Sequence, residues 1–128
     1  RNGLQSGQNA YEDALEIIRK NANVHGDALF FAVKWEEGKK FIDLGFRLSF
    51  TGVITFARDY DEIIQKAPLN MIMSETDSPF VSPLPYRGQR NEPSFVTGVA
   101  HKIADIRKES VEKVLPHLVD NARKLFGI

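Results

Sequence analysis

Apolar residues recur along this chain with two different rhythms, and the rhythms alternate. From Asn9, which can cap a helix, Ala10, Ala14, Leu15, Ile17 and Ile18 form a stripe running to about Lys20. A-L-F-F-A-V (28–33) is a short unbroken apolar run, the pattern of a strand buried on both faces. W-E-E-G-K-K-F-I-D-L (35–44) returns to helical spacing and stops at Gly45, a good carboxyl-terminal glycine. F-R-L-S-F (46–50) predicts a second strand, R-D-Y-D-E-I-I-Q-K (58–66) a third helix, and L-N-M-I-M-S (69–74) a third strand. A long helix is expected from about Pro93 to Lys108, because proline suits a first turn and Phe95, Val99, Ile103 and Ile106 share a face. A last helical segment covers about Ser110 to Phe126, with Pro116 predicted to break or kink it.

Strands alternating with helices imply an α/β architecture of parallel strands joined by right-handed crossovers. Three strands make a small parallel sheet, whose two faces need cover and whose edges stay open. The pattern reads as part of a larger design. Residues 1–8, polar and glycine-rich, are expected to be a flexible lead-in, and residues 9–128 a single domain.

Composition narrows the classes. The 128 residues carry 17 basic and 17 acidic side chains, so no global charge marks a nucleic-acid binder. Cysteine is absent, which removes disulfides, thiolate ligands and a thiol nucleophile, and fits a cytoplasmic protein. No apolar stretch approaches the ~20 residues of a bilayer span, so no membrane partner is expected.

One segment stands apart. M-S-E-T-D-S-P-F (73–80) runs straight into V-S-P-L-P-Y-R-G-Q-R-N-E-P (81–93), concentrating carboxylates, arginines and four prolines in one loop. Read alone, Asp77 is either a metal ligand or a turn residue capping backbone N–H groups before Pro79. Glu75 is either a site carboxylate or a partner for Arg87 or Arg90, and those arginines either meet phosphate or brace the loop. His101 and His117 fall in helical patterns and read as surface residues, whereas Phe30, Phe31 and Trp35 read as core.

Residues 75–93 are similar, nearly residue for residue, to the signature of the TatD family of metal-dependent hydrolases. Further similarity lies in residues 10–20, in W-E-E-G-K-K-F-I-D-L-G-F-R-L-S-F-T-G-V-I-T-F (35–56), and in D-N-A-R-K-L-F-G-I at the end. The resemblance implies a (β/α)8 barrel of ~250 residues, of which this chain resembles the carboxyl-terminal half. It implies one or two divalent metals (zinc, magnesium or manganese) at the carboxyl ends of the strands, and hydrolysis of DNA phosphodiesters. It places Asp77 as metal ligand or water-orienting base, with Glu75 beside it on the same strand face and Arg87, Arg90 and Asn91 toward substrate.

The sequence also departs from that pattern. The histidine of an H-x-R-[D/N]-A motif falls on Ser6 and its arginine on Gln8; the histidine of an H-x-F-x-G motif falls on Leu29 and its glycine on Val33. His25 lies at the start of its strand, the end of a barrel away from the chemistry. Two expectations therefore stand. One is a TatD-like metal-dependent hydrolase of nuclease type, with DNA as substrate where the site is active. The other is a catalytically silent half-barrel, truncated, degenerate or engineered, which binds no metal and whose open edges drive homo-oligomerisation.

Overall fold

The computed structural model describes residues 3–21, 26–28 and 34–128. Three strands, β1 (Asp27–Ala28), β2 (Arg47–Phe50) and β3 (Ile72–Ser74), lie parallel in the order β1-β2-β3. Asp27 sits beside Arg47, and Leu48, Ser49 and Phe50 sit beside Ile72, Met73 and Ser74. The helices are α1 (Gly3–Lys20), α2 (Trp35–Asp43), α3 (Asp61–Lys66), α4 (Val96–Arg107) and α5 (Val111–Phe126). Among the described residues, no helix is long and apolar enough to cross a membrane.

The sheet has two unlike faces, because successive strand residues point to opposite sides. Leu48, Phe50 and Ile72 join one core with Ile63, Val99, Ile103, Val114 and Leu118 from the helices. Arg47, Ser49 and Met73 alternate onto the other face, where Ser49 and Met73 are nonetheless buried. There Ser49 Oγ donates a hydrogen bond to the Asp27 carboxylate. Asp27 Oδ1 and Arg47 Nε are buried on that face with no hydrogen-bond partner among the described residues. Burial raises the Asp27 pKa above its ordinary value, outweighing the bond from Ser49 and the charge of Arg47.

The first helix is tied to the second through rings and charge. Tyr11 meets Phe41 edge-on at 6.4 Å, Phe41 meets Phe46 likewise at 6.4 Å, and Lys40 pairs with Glu12 at 2.7 Å. Helix α1 begins at Gly3, upstream of the predicted cap at Asn9, so the backbone of residues 3–8 is helical. Once Tyr11, Leu15 and Ile18 anchor the helix, each added turn only propagates it, and propagation costs far less than nucleation.

Three other expectations shift. Of the predicted third strand, Leu69–Met71 is a 3₁₀ turn instead, opened by the Met71 N–H to the Pro68 carbonyl (2.9 Å). Likewise Pro93–Phe95 is a 3₁₀ turn leading into α4. Helix α5 runs unbroken through Pro116. The carbonyl that proline deprives of its bond belongs to Glu112, an exposed residue, so the loss falls on the solvent side of the helix. On the opposite side Val114, Leu118 and Asn121 are buried and hold the helix against the core. Trp35 packs partly buried against that core as expected; His25, Phe30, Phe31 and the predicted strand beyond Ala28 lie outside the described residues.

Buried polar groups set the ends of these elements. Asn121 Nδ2 donates to the carbonyls of Leu69 (2.9 Å) and Ile72 (2.7 Å), fixing the start of β3. Arg107 Nη1 donates to the carbonyls of Ile64 (2.8 Å) and Ala67 (2.6 Å), closing the end of α3.

Two outcomes follow for stability. Asn121→Ala should lower the unfolding free energy by about 2–4 kcal/mol in urea titration, because two buried carbonyls lose their donor; exposed Asp120→Ala should change it by less than about 0.5 kcal/mol. Asp27 binds its proton more tightly folded than unfolded, so its contribution is full below its ordinary value of 3.8 and is lost as pH rises through the folded pKa. Asp27→Asn should therefore be more stable than the parent at pH 7, with the difference closing in acid; thermal melts across pH check this.

Candidate metal and phosphate site

The carboxyl ends of β2 and β3 lead into two turns that dock on each other. After β2, Thr51 Oγ1 accepts the Val53 N–H (3.3 Å) and caps a 3₁₀ turn over Gly52–Thr55. Thr55 Oγ1 donates to the Gly52 carbonyl (2.7 Å) and accepts the Leu84 N–H (2.8 Å), so one hydroxyl ties the turn to the proline-rich loop. The approach is close: a Cβ on Gly52 would lie 2.4 Å from the Val81 carbonyl oxygen. Only glycine leaves room for it.

After β3 the ladder continues by one bond, from the Glu75 N–H to the Phe50 carbonyl (2.9 Å). Glu75 thus lies one residue past the strand, half-buried, on the same face as Met73. Thr76 turns the chain, its Oγ1 accepting the Ser78 N–H (3.3 Å). Asp77 is exposed and left-handed at φ 53°, a conformation that costs a non-glycine residue about 1–3 kcal/mol. Val81, still less suited to that region because it is β-branched, sits at φ 55°.

What holds both residues there is Asn91. Its side chain is buried, and Nδ2 donates to the carbonyls of Thr76 (2.5 Å), Phe80 (2.7 Å) and Val81 (3.3 Å), while its own N–H reaches the Pro79 carbonyl at 3.0 Å. The two amide hydrogens face three acceptors, and Oδ1 is buried without a partner among the described residues. Ser82 Oγ closes the loop on the Gln89 carbonyl at 2.6 Å. The peptide bonds Ser78–Pro79 and Leu84–Pro85 are both cis.

The structure places Glu75 and Asp77 two residues apart just past the carboxyl end of β3, Glu75 half-buried and Asp77 exposed, and sets Arg87 and Arg90 exposed on the loop that follows. Asn91 faces inward and spends its donors on the loop backbone. The Arg87 guanidinium lies 4.0 Å above the Phe56 ring, a platform that residue spacing alone did not reveal. His101 and His117 are exposed, and His117 Nδ1 contacts the Lys113 carbonyl (2.9 Å). Ser6 and Gln8 fall in the first turns of α1, while Leu29 and Val33 lie outside the described residues.

Catalytic metal centres use about three protein ligands. Among the described residues no three histidine, cysteine, aspartate or glutamate side chains come together. Asp77 and Glu75 alone do not fit such a centre, and no reaction step through a metal is assigned to this chain by itself.

The family model for TatD related DNase matches residues 7–127. Over 125 residues the chain is 34% identical to an uncharacterized metal-dependent hydrolase, YabD, of Bacillus subtilis, covering 94% of this chain and 49% of that protein. It is 35% identical to the uncharacterized metal-dependent hydrolase YcfH of Escherichia coli K12, covering 94% and 47%. The fold matches the crystal structure of YJJV, a TatD homolog from Escherichia coli, with a TM-score of 0.82 at 23% identity over 92% of this chain and 47% of that one. A TatD family hydrolase from Entamoeba histolytica matches with a TM-score of 0.80 at 16% identity, over 91% and 47%. The chain spans about half the length of these relatives, so its α/β fold corresponds to half of a TatD-type barrel. Over nearly its whole length, this chain belongs to the TatD family of metal-dependent hydrolases.

Proposed function

We propose that this chain supplies the carboxyl-terminal share of a divalent-metal-dependent phosphodiester hydrolase site of nuclease type, with DNA as substrate. The observation that carries this is Asp77, an exposed carboxylate held in a costly left-handed conformation at the carboxyl end of a parallel strand. Strained residues at strand ends persist where surrounding structure over-determines them, and such places are drawn to function. In this reading Asp77 contributes an oxygen ligand or orients water, and Glu75 flanks it. Arg87 and Arg90 offer guanidinium forks to phosphate, Arg87 pre-oriented by Phe56.

The share is completed by a second half-barrel surface, which we propose a second copy of this chain provides. The polar face of the sheet supports this, because Asp27 Oδ1 and Arg47 Nε are buried there unpaired among the described residues. Unpaired buried polar groups cost about 1–3 kcal/mol each, so a partner that satisfies them is favoured. Two half-barrels closing around one axis would bring two Asp77–Glu75 pairs to the same rim. The competing reading is a silent half-barrel that pairs in the same way without metal.

Calorimetric titration with zinc and manganese separates the two readings. Uptake that saturates in the micromolar range and disappears in Asp77→Ala is expected; no uptake by the parent chain removes the catalytic reading and leaves the silent one. Light scattering after size-exclusion chromatography should give a particle of two chains, and Arg47→Glu, which places a second carboxylate beside Asp27, should shift it toward one. A monomer at every concentration would rule out pairing of copies.

A further inference from the structure

The helices pack against one another in sequence order. Helix α1 meets α2 through Tyr11–Phe41 and Lys40–Glu12, and α2, α3, α4 and α5 follow, each packed on the next. Helices α1 and α5 are therefore the two ends of the row. The exposed apolar side chains follow the same division. Among the described residues, the large apolar side chains exposed on helices are Ile17 on α1 and Leu115, Val119 and Phe126 on α5, whereas α2, α3 and α4 expose none. Scattered exposed apolar residues are ordinary, but apolar residues confined to the two end helices mark surfaces that expect a neighbour.

On α5 these residues form a seam. Leu115, Val119, Ala122 and Phe126 are spaced by four, three and four, the repeat with which one helix packs along another. They lie beside the face that Val114, Leu118 and Asn121 bury against the core, not on it. Phe126 is 68% exposed and Ile17 62%, so apolar surface is left over once the core is made. Charge of opposite sign accompanies the two surfaces. Asp13 stands one turn before Ile17 on the same face of α1, and Arg123 one turn before Phe126 on α5, both exposed. Laid parallel with Ile17 beside Phe126, the two helices also bring Asp13 beside Arg123 and the small Ala10 beside Val119. Pairing α5 with α5 would leave Ile17 uncovered.

We propose that the α5 seam docks on the Ile17 face of α1 in a second copy of this chain, a twofold axis repeating the contact. Each copy then gives α5 once and receives on α1 once, so both ends of both rows are covered. This rests on the pairing of copies proposed above for the sheet, and it names the helical surface that carries that pairing. The orientation agrees with the sheet. Crossover helices of a parallel sheet all run the same way, so a sheet continued in parallel from β3 of one copy to β1 of the next lays α5 parallel to α1. Length agrees as well: this chain covers 47% of YcfH, so two copies restore the length of one such relative. The contact joins unlike surfaces, and it stops at two chains because the rotation closes.

The test measures the dimer dissociation constant by sedimentation equilibrium. Phe126→Glu puts a charge into the seam twice per dimer and should raise that constant at least about 30-fold, the weight of one interface anchor. Asp13→Arg and Arg123→Asp should each weaken the dimer about 2- to 30-fold, one surface pair broken twice, and the two together should restore it. The chain has no cysteine, so Ile17→Cys and Phe126→Cys each supply a single thiol. After subunit exchange, a short bismaleimide should join a mixture of these two variants into covalent dimers, and neither variant alone. A parent-like constant in Phe126→Glu, or Phe126→Cys joining to itself as readily as to Ile17→Cys, overturns the assignment. If Phe126→Glu loses its circular dichroism, the cross-link decides, and no joining in the mixture overturns it. A dimer that Arg47→Glu breaks while Phe126→Glu leaves it intact would keep the pairing through the sheet and remove the α5–α1 contact. A parent that stays monomeric at every concentration overturns both and leaves the seam to a different polypeptide.

Discussion

The rim of this molecule depends on one buried amide. Asn91 Nδ2 gathers the carbonyls of Thr76, Phe80 and Val81, which come from both sides of the turn that carries Asp77. Two residues of that turn occupy left-handed conformations they would avoid in isolation. Their cost is offset by the hydrogen bonds that the buried Asn91 Nδ2 gives to those carbonyls. Gly52 permits the arrangement by letting the Val81 carbonyl lie where a Cβ would stand. The exposed carboxylate of Asp77 is thus displayed by a turn that the buried Asn91 side chain holds in place.

A second constraint comes from the parallel sheet. Crossover helices cover one face, where Leu48, Phe50 and Ile72 meet Ile103, Val99 and Val114. On the reverse face the strands carry Asp27, Arg47 and Ser49, and two polar atoms there are buried without partners among the described residues. A sheet built this way is energetically one-sided. Its apolar side packs against the helices, whereas on the other side Asp27 Oδ1 and Arg47 Nε lie buried near Met73 without partners among the described residues.

Much of the site was legible because its chemistry is local. The residues from Glu75 to Pro93 are contiguous, so their similarity to a family signature could be recognised without any fold. Strand alternation alone would put Glu75 and Asp77 on one face, but the strand ends at Ser74 and Asp77 is left-handed, so the alternation does not extend to it. The family resemblance places Asn91 toward substrate with Arg87 and Arg90, whereas its inward turn depends on carbonyls up to 15 residues away. Phe56 beneath Arg87, and Phe95 against Tyr86, were equally hidden, since ring stacking joins elements that sequence spacing does not relate. Pro116 does not end its helix, for the opposite reason. Its local preference to break a helix was overridden by Val114, Leu118 and Asn121, which hold the turns on either side of it in the core.

By itself the sequence determined the order of strands and helices, the α/β class, the family resemblance and the position of Asp77 at a strand end. These depend on periodicity and contiguous motifs, which short-range backbone geometry converts directly into structure. The tertiary structure alone decided the helical start at Gly3, the continuity of α5, the two unlike faces of the sheet, the inward Asn91 and the stacking of Tyr86 on Phe95. Each of these is settled by long-range contacts, where burial and hydrogen bonding between distant residues outweigh the preferences of any one segment.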